Sequence, residues 1–297
     1  MILPPFLKAG DRIGLIAPAR KLQVKEAEAA AEIFRSWGLE PIFGKNLFGE
    51  LHQFSGSDEE RAADLDAFLM DDSIKAIIGF RGGYGSVRLL PYLKKHYPTP
   101  KWLIGYSDFT VIHTWANQVL GWCSMHATMP VNMIMEGEER EISNLSLKNA
   151  LFGNPESIEF KNHILEKVGH AKGKLCGGNL SVLFSLLGSD LQLNTQNKLL
   201  FLEDLDEYLY HIDRMMQGMK RAKILDQANA LVVGGMTDMR DNTIPFGYSA
   251  EEIIAALWKE QTKPLRFGLA SGHTPLNRAM VFGLEYELSE KGLKPLH

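Results

Sequence analysis

Lys101-Trp-Leu-Ile-Gly-Tyr-Ser-Asp-Phe-Thr110 is the stretch on which the fold and chemistry of this chain turn. Residues 101–104 read as the end of a buried strand, and Gly105-Tyr106 offers a place to turn sharply. Beyond it, residues 109–120 place Val111, Ile112, Trp115 and Val119 at helical spacing. A strand, a tight turn with a serine at its tip, and then a helix form a nucleophile elbow. Such a turn lifts the hydroxyl out of the sheet and aims the helix's free N–H groups at whatever the serine attacks. The alternative is that Ser107 or Asp108 merely caps the helix, and the second glycine of Gly-x-Ser-x-Gly is absent, with Phe109 in its place. The rest of the chain must decide between the two.

Upstream, Arg12-Ile-Gly-Leu-Ile-Ala-Pro18 is an apolar strand that stops at a proline, residues 24–37 are an amphipathic helix, and Glu40-Pro-Ile-Phe43 is a second strand. Ser57 and Glu60 form a capping box that opens a helix to about Met70. Lys75-Ala-Ile-Ile-Gly-Phe80 is a third strand, followed at once by the glycine turn Arg81-Gly-Gly-Tyr-Gly85. The elbow strand is the fourth, and residues 121–125 are expected to be the fifth. Strands alternating with helices predict a parallel sheet covered on both faces. Ligands of such sheets lie beyond the carboxyl ends of the strands, where both the glycine turn and Ser107 fall.

Residues 135–169 carry a charge run and weak periodicity, and read as the connection between an N-terminal α/β domain (1–134) and a C-terminal domain (170–297). The second domain holds Gly173-Lys-Leu-Cys-Gly-Gly-Asn179, a helix at 180–187, and a strand, Lys198-Leu-Leu-Phe-Leu-Glu203, that runs into acids. A helix at 208–222 and strands at 230–235, 265–270 and 279–284 complete it.

A hydrophobic content of 45% with 23% charged residues is that of a globular protein, and a net charge of -4 with interspersed signs argues against nucleic acid as partner. Two cysteines, Cys123 and Cys176, cannot build a disulfide framework and suit a reducing compartment. No apolar run reaches the length of a membrane span or a signal core, so a cytoplasmic protein without a membrane partner is expected.

A nucleophilic serine needs a base, and the base needs a group to fix its tautomer. Of nine histidines, His52, His96, His163, His170 and His297 sit in polar or terminal settings, while His113 and His126 read as structural. His211 lies on a helix after Tyr208-Leu-Tyr. His273 stands in Ser271-Gly-His-Thr-Pro275, a loop directly after a strand, where side chains reach a site. Glu203 leaves a buried strand and could orient an imidazole; Asp204 and Asp238 are the competing acids. An oxyanion would find the backbone N–H of Asp108 and that of Gly83 or Gly82, although such a glycine turn could equally hold a phosphate. No His-Glu-x-x-His or Cys-x-x-Cys is present, so no metal and no cofactor are expected.

Together these pieces resemble the LD-carboxypeptidase family of serine peptidases, which includes muramoyltetrapeptide carboxypeptidases and microcin-immunity relatives. The resemblance begins with Gly10-Asp-Arg-Ile-Gly-Leu-Ile-Ala-Pro18, Gly56-Ser-Asp-Glu-Glu-Arg-Ala-Ala-Asp-Leu65 and Arg81-Gly-Gly-Tyr-Gly85. It continues through Gly105-Tyr-Ser-Asp108, Gly177-Gly-Asn-Leu180, Leu200-Phe-Leu-Glu-Asp204 and Gly272-His-Thr-Pro275. It implies a flavodoxin-like N-terminal domain, a smaller swivelling β-rich C-terminal domain, and a homodimer. It implies Ser107 as nucleophile, His273 as base and Glu203 as its orienting acid, with Asp108 and Gly83 or Gly82 as oxyanion donors. Arg81, Tyr84 and Asn179 are its substrate-binding candidates. The implied reaction is release of the terminal D-alanine from a murein tetrapeptide. A related hydrolase acting on a peptidyl-nucleotide, and a non-catalytic binder of an anionic ligand, are the alternatives. His126-Ala-Thr-Met129 departs from the family's usual His-Gly-Pro-Met.

Overall fold

The computed structural model describes residues 1–296, so His297 lies outside the described residues. In chain order the strands are β1 (Arg12–Ile16), β2 (Glu40–Phe43), β3 (Ile74–Gly79), β4 (Trp102–Gly105), β5 (Ser124–His126) and β6 (Ile158–Glu159). They continue as β7 (Ala171–Asn179), β8 (Lys198–Leu205), β9 (Ala230–Thr237), β10 (Leu265–Arg266), β11 (Met280–Phe282), β12 (Glu285–Leu288) and β13 (Gly292–Pro295). The chain divides into two compact units, Met1–Pro155 with Arg278–Gly283, and Glu156–Asn277 with the residues from Leu284 onward.

The first unit is built on a six-stranded sheet in the order β11-β5-β4-β3-β1-β2. β1 to β5 are parallel, and their order, 2-1-3-4-5, is flavodoxin-like; β11 runs antiparallel at the edge beside β5. β4 is buried throughout and β1 is buried after Arg12, as strands covered on both faces must be. Helix Asp58–Met70 starts on the expected capping box: Ser57 Oγ accepts from the Glu60 N–H at 3.2 Å, and the Glu60 carboxylate accepts from the Ser57 N–H at 2.8 Å.

The second unit holds a seven-stranded sheet in the order β10-β9-β8-β7-β12-β13-β6. β7 to β10 are parallel, while β12, β13 and β6 pair antiparallel. Helix Leu209–Arg221 buries Ile212, Met215, Met216 and Met219, one face at i, i+3, i+4 and i+7, and the helix Ala250–Trp258 buries Ile253, Ile254 and Trp258 in the same core. Each such side chain contributes roughly 1.5–3 kcal/mol of burial.

Four expectations need correction. Residues 135–169 are not simply a connection: helix Glu138–Leu151 belongs to the first unit, and β6 to the second. Its buried face includes Ser143 and Ser146 beside Leu147, Ala150 and Leu151, so apolar periodicity is diluted by small polar residues. The C-terminal domain does not run unbroken from 170 to the end, because Arg278–Gly283 returns to the first unit. There β11 covers the edge of β5, and the Ala279 N–H donates to Ser146 Oγ at 3.1 Å. The fifth strand is Ser124–His126 rather than 121–125, and the helix after the elbow is regular only over Thr110–Trp115, widening into a π-helical turn at Ala116–Leu120.

Candidate active site

Ser107 stands immediately beyond β4 with φ of +64°, in the left-handed region that a non-glycine residue enters at a cost of about 1 kcal/mol or more. A helix-capping serine has extended backbone, so this conformation separates the elbow from the capping reading. Its neighbours hold the turn in place. The Gly105 carbonyl accepts from the Ala127 N–H at 3.1 Å and from His113 Nε2 at 2.9 Å, while His113 Nδ1 accepts from Ser124 Oγ at 2.9 Å. Burial pushes the His113 pKa down to about 4, which keeps the ring neutral and fixes that tautomer. Tyr106 Oη donates to Asn132 Oδ1 at 2.9 Å on the other side.

Phe109 occupies the position of the missing second glycine, and the structure shows why it fits. A methyl on Gly105 would lie 2.6 Å from Phe109 Cγ, and one on Gly79 2.7 Å from Cδ2. The strands carry the glycines, and the ring takes the space they leave.

The glycine turn after β3 folds over the same tip. A methyl on Gly82 would lie 2.9 Å from both Cβ and Oγ of Ser107, so only glycine brings this backbone so near the hydroxyl. Gly83 comes next with φ of +118°. The turn's far end is pinned by Asp108, whose buried carboxylate accepts from the Ser86 N–H at 2.8 Å. Burial raises the Asp108 pKa, and the bonds from Ser86 offset part of that rise. Ser107, Asp108, Gly82 and Gly83 are therefore together in the first unit. Arg81 directs one Nη to the Lys21 carbonyl at 3.3 Å, and Tyr84 is 49% exposed with its ring 6.3 Å from that of Phe54.

In the second unit, Glu203 and His273 form a pair. Glu203 is fully buried near the end of β8, and one of its oxygens, Oε2, accepts from His273 Nδ1 at 2.6 Å and from the His273 backbone N–H at 3.1 Å. With Nδ1 donating, the neutral ring carries its lone pair on Nε2, the arrangement of a general base. Burial lowers the His273 pKa, but the charge and hydrogen bond of Glu203, with the charge of Asp204, outweigh it and leave the value raised.

The loop reaches Glu203 because residue 272 is glycine. It has φ of +97°, and a methyl there would meet Glu203 Cγ and Oε2 at 2.7 Å. Asn277 Oδ1 accepts from the Gly272 N–H at 3.0 Å and from Ser271 Oγ at 3.2 Å, bracing the loop from behind.

Asp204 does not bond His273. It is buried and accepts from Asn179 Nδ2, the Ser181 N–H and the Leu205 N–H, each at 2.9 Å. Burial and the neighbouring Glu203 charge push its pKa up to about 7, against those three bonds. Asn179 also caps helix Leu180–Ser185, its Oδ1 accepting from the Val182 N–H at 3.2 Å, so its amide is engaged with Asp204 and the cap. Of the remaining histidines, His211 pairs with Glu207 at 2.6 Å, His163 packs on Phe267, and His126 is buried among Tyr106, His113 and Phe282. Among the described residues no cluster of three or more His, Cys, Asp or Glu side chains is placed to hold a metal ion, and no helix is long and apolar enough to cross a membrane. Sequence reasoning missed His113 as the brace of the elbow, and Gly272 as the residue that lets the histidine loop close on Glu203.

Comparison with known proteins gives one consistent picture. Residues 13–127 match the LD-carboxypeptidase N-terminal domain, and residues 172–288 match the LD-carboxypeptidase C-terminal domain. A probable murein peptide carboxypeptidase of Bacillus subtilis is 37% identical over 293 residues, covering 94% of this chain and 89% of the relative. The murein tetrapeptide carboxypeptidase of Pseudomonas aeruginosa is 29% identical, covering 92% and 91%. Among solved structures, muramoyltetrapeptide carboxypeptidase from Oxalobacter formigenes superposes with a TM-score of 0.85 at 23% identity, covering 96% of this chain and 99% of that one. The microcin C7 self-immunity protein in its wild-type apo state gives 0.88 at 19% identity, covering 100% and 99%. At such identities these two likenesses speak to the fold alone.

Proposed function

The chain belongs to the LD-carboxypeptidase family, and from that premise we propose that it is a serine carboxypeptidase that releases the terminal D-alanine of a murein tetrapeptide by cutting an L,D-peptide bond. The observation that carries the proposal is the pairing of chemistries on one chain: a serine held at φ of +64° on an elbow, and a buried Glu203 bonded at 2.6 Å to His273 Nδ1. The triad requires His273 Nε2 to come within roughly 2.6–3.2 Å of Ser107 Oγ.

In this reading Ser107 Oγ attacks the scissile carbonyl carbon while His273 Nε2 takes its proton. Glu203 stabilises the imidazolium that forms. The developing oxyanion accepts from the backbone N–H groups of Asp108 and of Gly83 or Gly82. The tetrahedral species collapses, the C–N bond breaks, and the proton on Nε2 passes to the departing D-alanine amine. Water then attacks the ester on Ser107, giving up a proton to His273, and the shortened peptide leaves as a carboxylate while Ser107 recovers its proton. Two buried cysteines outside any disulfide accord with work in a reducing cytoplasm on murein fragments.

The test is to incubate the protein with a murein tetrapeptide, follow D-alanine by a D-amino-acid oxidase assay, and run a peptidyl-nucleotide in parallel. D-alanine release, lost in Ser107→Ala, is the expected result. Consumption of the peptidyl-nucleotide with no D-alanine formed would overturn the substrate assignment.

A further inference from the structure

The proposed reaction leaves one requirement without a residue: a carboxypeptidase must hold the free carboxylate one residue beyond the scissile bond. Arg81 is tethered to the Lys21 carbonyl at 3.3 Å. The other cations around the glycine turn are committed to acids. Lys21 pairs with Glu50 at 2.8 Å, Arg88 with Asp58 at 2.7 Å, and the buried Arg61 with the same Asp58 and with the Pro18 and Gly85 carbonyls.

Arg20 differs from all of these. It lies on the loop after β1, is solvent-exposed, and its guanidinium makes no ion pair or hydrogen bond among the described residues. Its stem is nonetheless seated. A methyl on Gly83 would lie 2.6 Å from Arg20 Cδ and Nε and 2.7 Å from Cγ, so the side chain fills the space that glycine leaves. The next residue back, Gly82, stands in the same relation to Ser107. In the strand order 2-1-3-4-5 the loops after β1 and β3 border the crevice where open α/β sheets bind ligands, and these loops carry Arg20 and the glycine turn.

From this placement we infer that Arg20 binds the substrate's terminal carboxylate and makes the enzyme selective for a free C-terminus. The spans agree. Through the two glycines, Arg20 Nε lies at most roughly 12 Å from Ser107 Oγ, taking adjacent Cα atoms as about 3.8 Å apart and each Cα–Cβ bond as about 1.5 Å. An attack distance of about 3–3.5 Å, one residue of chain of about 3.8 Å and a charge-assisted hydrogen bond of about 2.8 Å sum to roughly 10 Å, within that bound. The selectivity comes from charge: a planar guanidinium bonds a carboxylate through two N–H groups but has no such partner in a carboxamide.

This inference rests on the carboxypeptidase reading, and its test is arranged so that the two fail separately. Two peptides, identical except that one ends in D-alanine carboxylate and the other in its carboxamide, are compared on the parent, Arg20→Ala and Arg20→Lys. Arg20→Ala should raise KM for the free acid by about 10- to 100-fold with kcat much less affected, leave the carboxamide unchanged, and be partly rescued by lysine. Labelling of Ser107 by a fluorophosphonate should proceed at the parent rate. In parallel, binding of both peptides to Ser107→Ala and to Ser107→Ala with Arg20→Ala is measured by calorimetry. A parent that turns over neither peptide while Ser107→Ala prefers the acid in an Arg20-dependent manner would sink the catalytic reading and keep this one. Equal effects on acid and carboxamide, or an acid KM and affinity within twofold of the parent, would overturn the role of Arg20.

Discussion

Replacing Glu203 with Gln keeps the volume of the side chain and removes its charge, and the local hydrogen bonds dictate the consequence. Oε2 accepts both the ring Nδ1 and the backbone N–H of His273, whereas Oε1 is buried with no hydrogen-bond partner among the described residues. The introduced glutamine therefore has two orientations. With its oxygen toward His273, a buried amide N–H₂ is left unsatisfied at a cost of about 1–3 kcal/mol. With its nitrogen toward His273, the ring must accept at Nδ1 and carry its proton on Nε2, where it cannot act as base. Either way the negative charge that raises the His273 pKa is gone. Activity requires the neutral ring, so the acid limb of the kcat/KM profile should move to lower pH. By analogy with the Asp→Asn change in the chymotrypsin-type triad, kcat should fall by up to about 10⁴. The assay is D-alanine release between about pH 5 and 9, the span in which a histidine base titrates, with urea unfolding alongside. A variant within threefold of the parent and with an unmoved acid limb would refute the argument.

The remaining predictions draw on the same coordinates. Ser107→Ala should lower kcat on the order of 10⁶-fold while leaving the urea midpoint close to that of the parent, and residual activity within tenfold would remove Ser107 as nucleophile. Gly272→Ala adds a methyl 2.7 Å from Glu203 at φ of +97°, so it should push His273 off its acid. The cost should be at least about 1–2 kcal/mol of stability and most of kcat, and an active, equally stable variant would refute this. Asp204 has a folded pKa of about 7 against an ordinary value of 3.8, so between these values the native state holds the extra proton. Its contribution to stability is complete below about pH 4 and is lost as pH rises through 7. Asp204→Asn should flatten the fall of unfolding free energy over that window, and an unchanged slope would count against it.

The legible parts of the fold were those whose signal is local. β1, β3 and β4 are short apolar runs that end at proline or glycine turns, and Ser57 with Glu60 announces its helix through a capping box found as expected. Two pieces were hidden because their signal lies in tertiary context. Helix Glu138–Leu151 turns serines toward its packing surface, with hydrogen bonds such as Ser143 Oγ to the Glu139 carbonyl satisfying them, so no apolar stripe marks it. β11 looks like any other strand of the C-terminal half, and only its pairing with β5 assigns it to the first unit. A sequence shows that Met280-Val-Phe282 will be extended and buried; it carries no mark of which edge needs covering.

The site divides along the same line. A serine after a strand and glycine, an acid at a strand's end and a histidine in a loop after a strand are readable because an apolar strand precedes and places each of them. What arranges them is contact, which sequence records only as glycine. Gly82 lets backbone lie against Ser107, Gly83 seats Arg20, and Gly272 lets the histidine loop close on Glu203. The missing second glycine of the elbow is the sharpest case. Gly-x-Ser-x-Gly places small residues on both sides of the serine so that helix and strand can approach. Here the helix contributes Phe109, and Gly79 and Gly105 on β3 and β4 give way to it. The requirement is close approach, and either partner can meet it. Enlarging Gly79 should therefore damage the elbow as surely as enlarging Gly105, although the motif does not contain it.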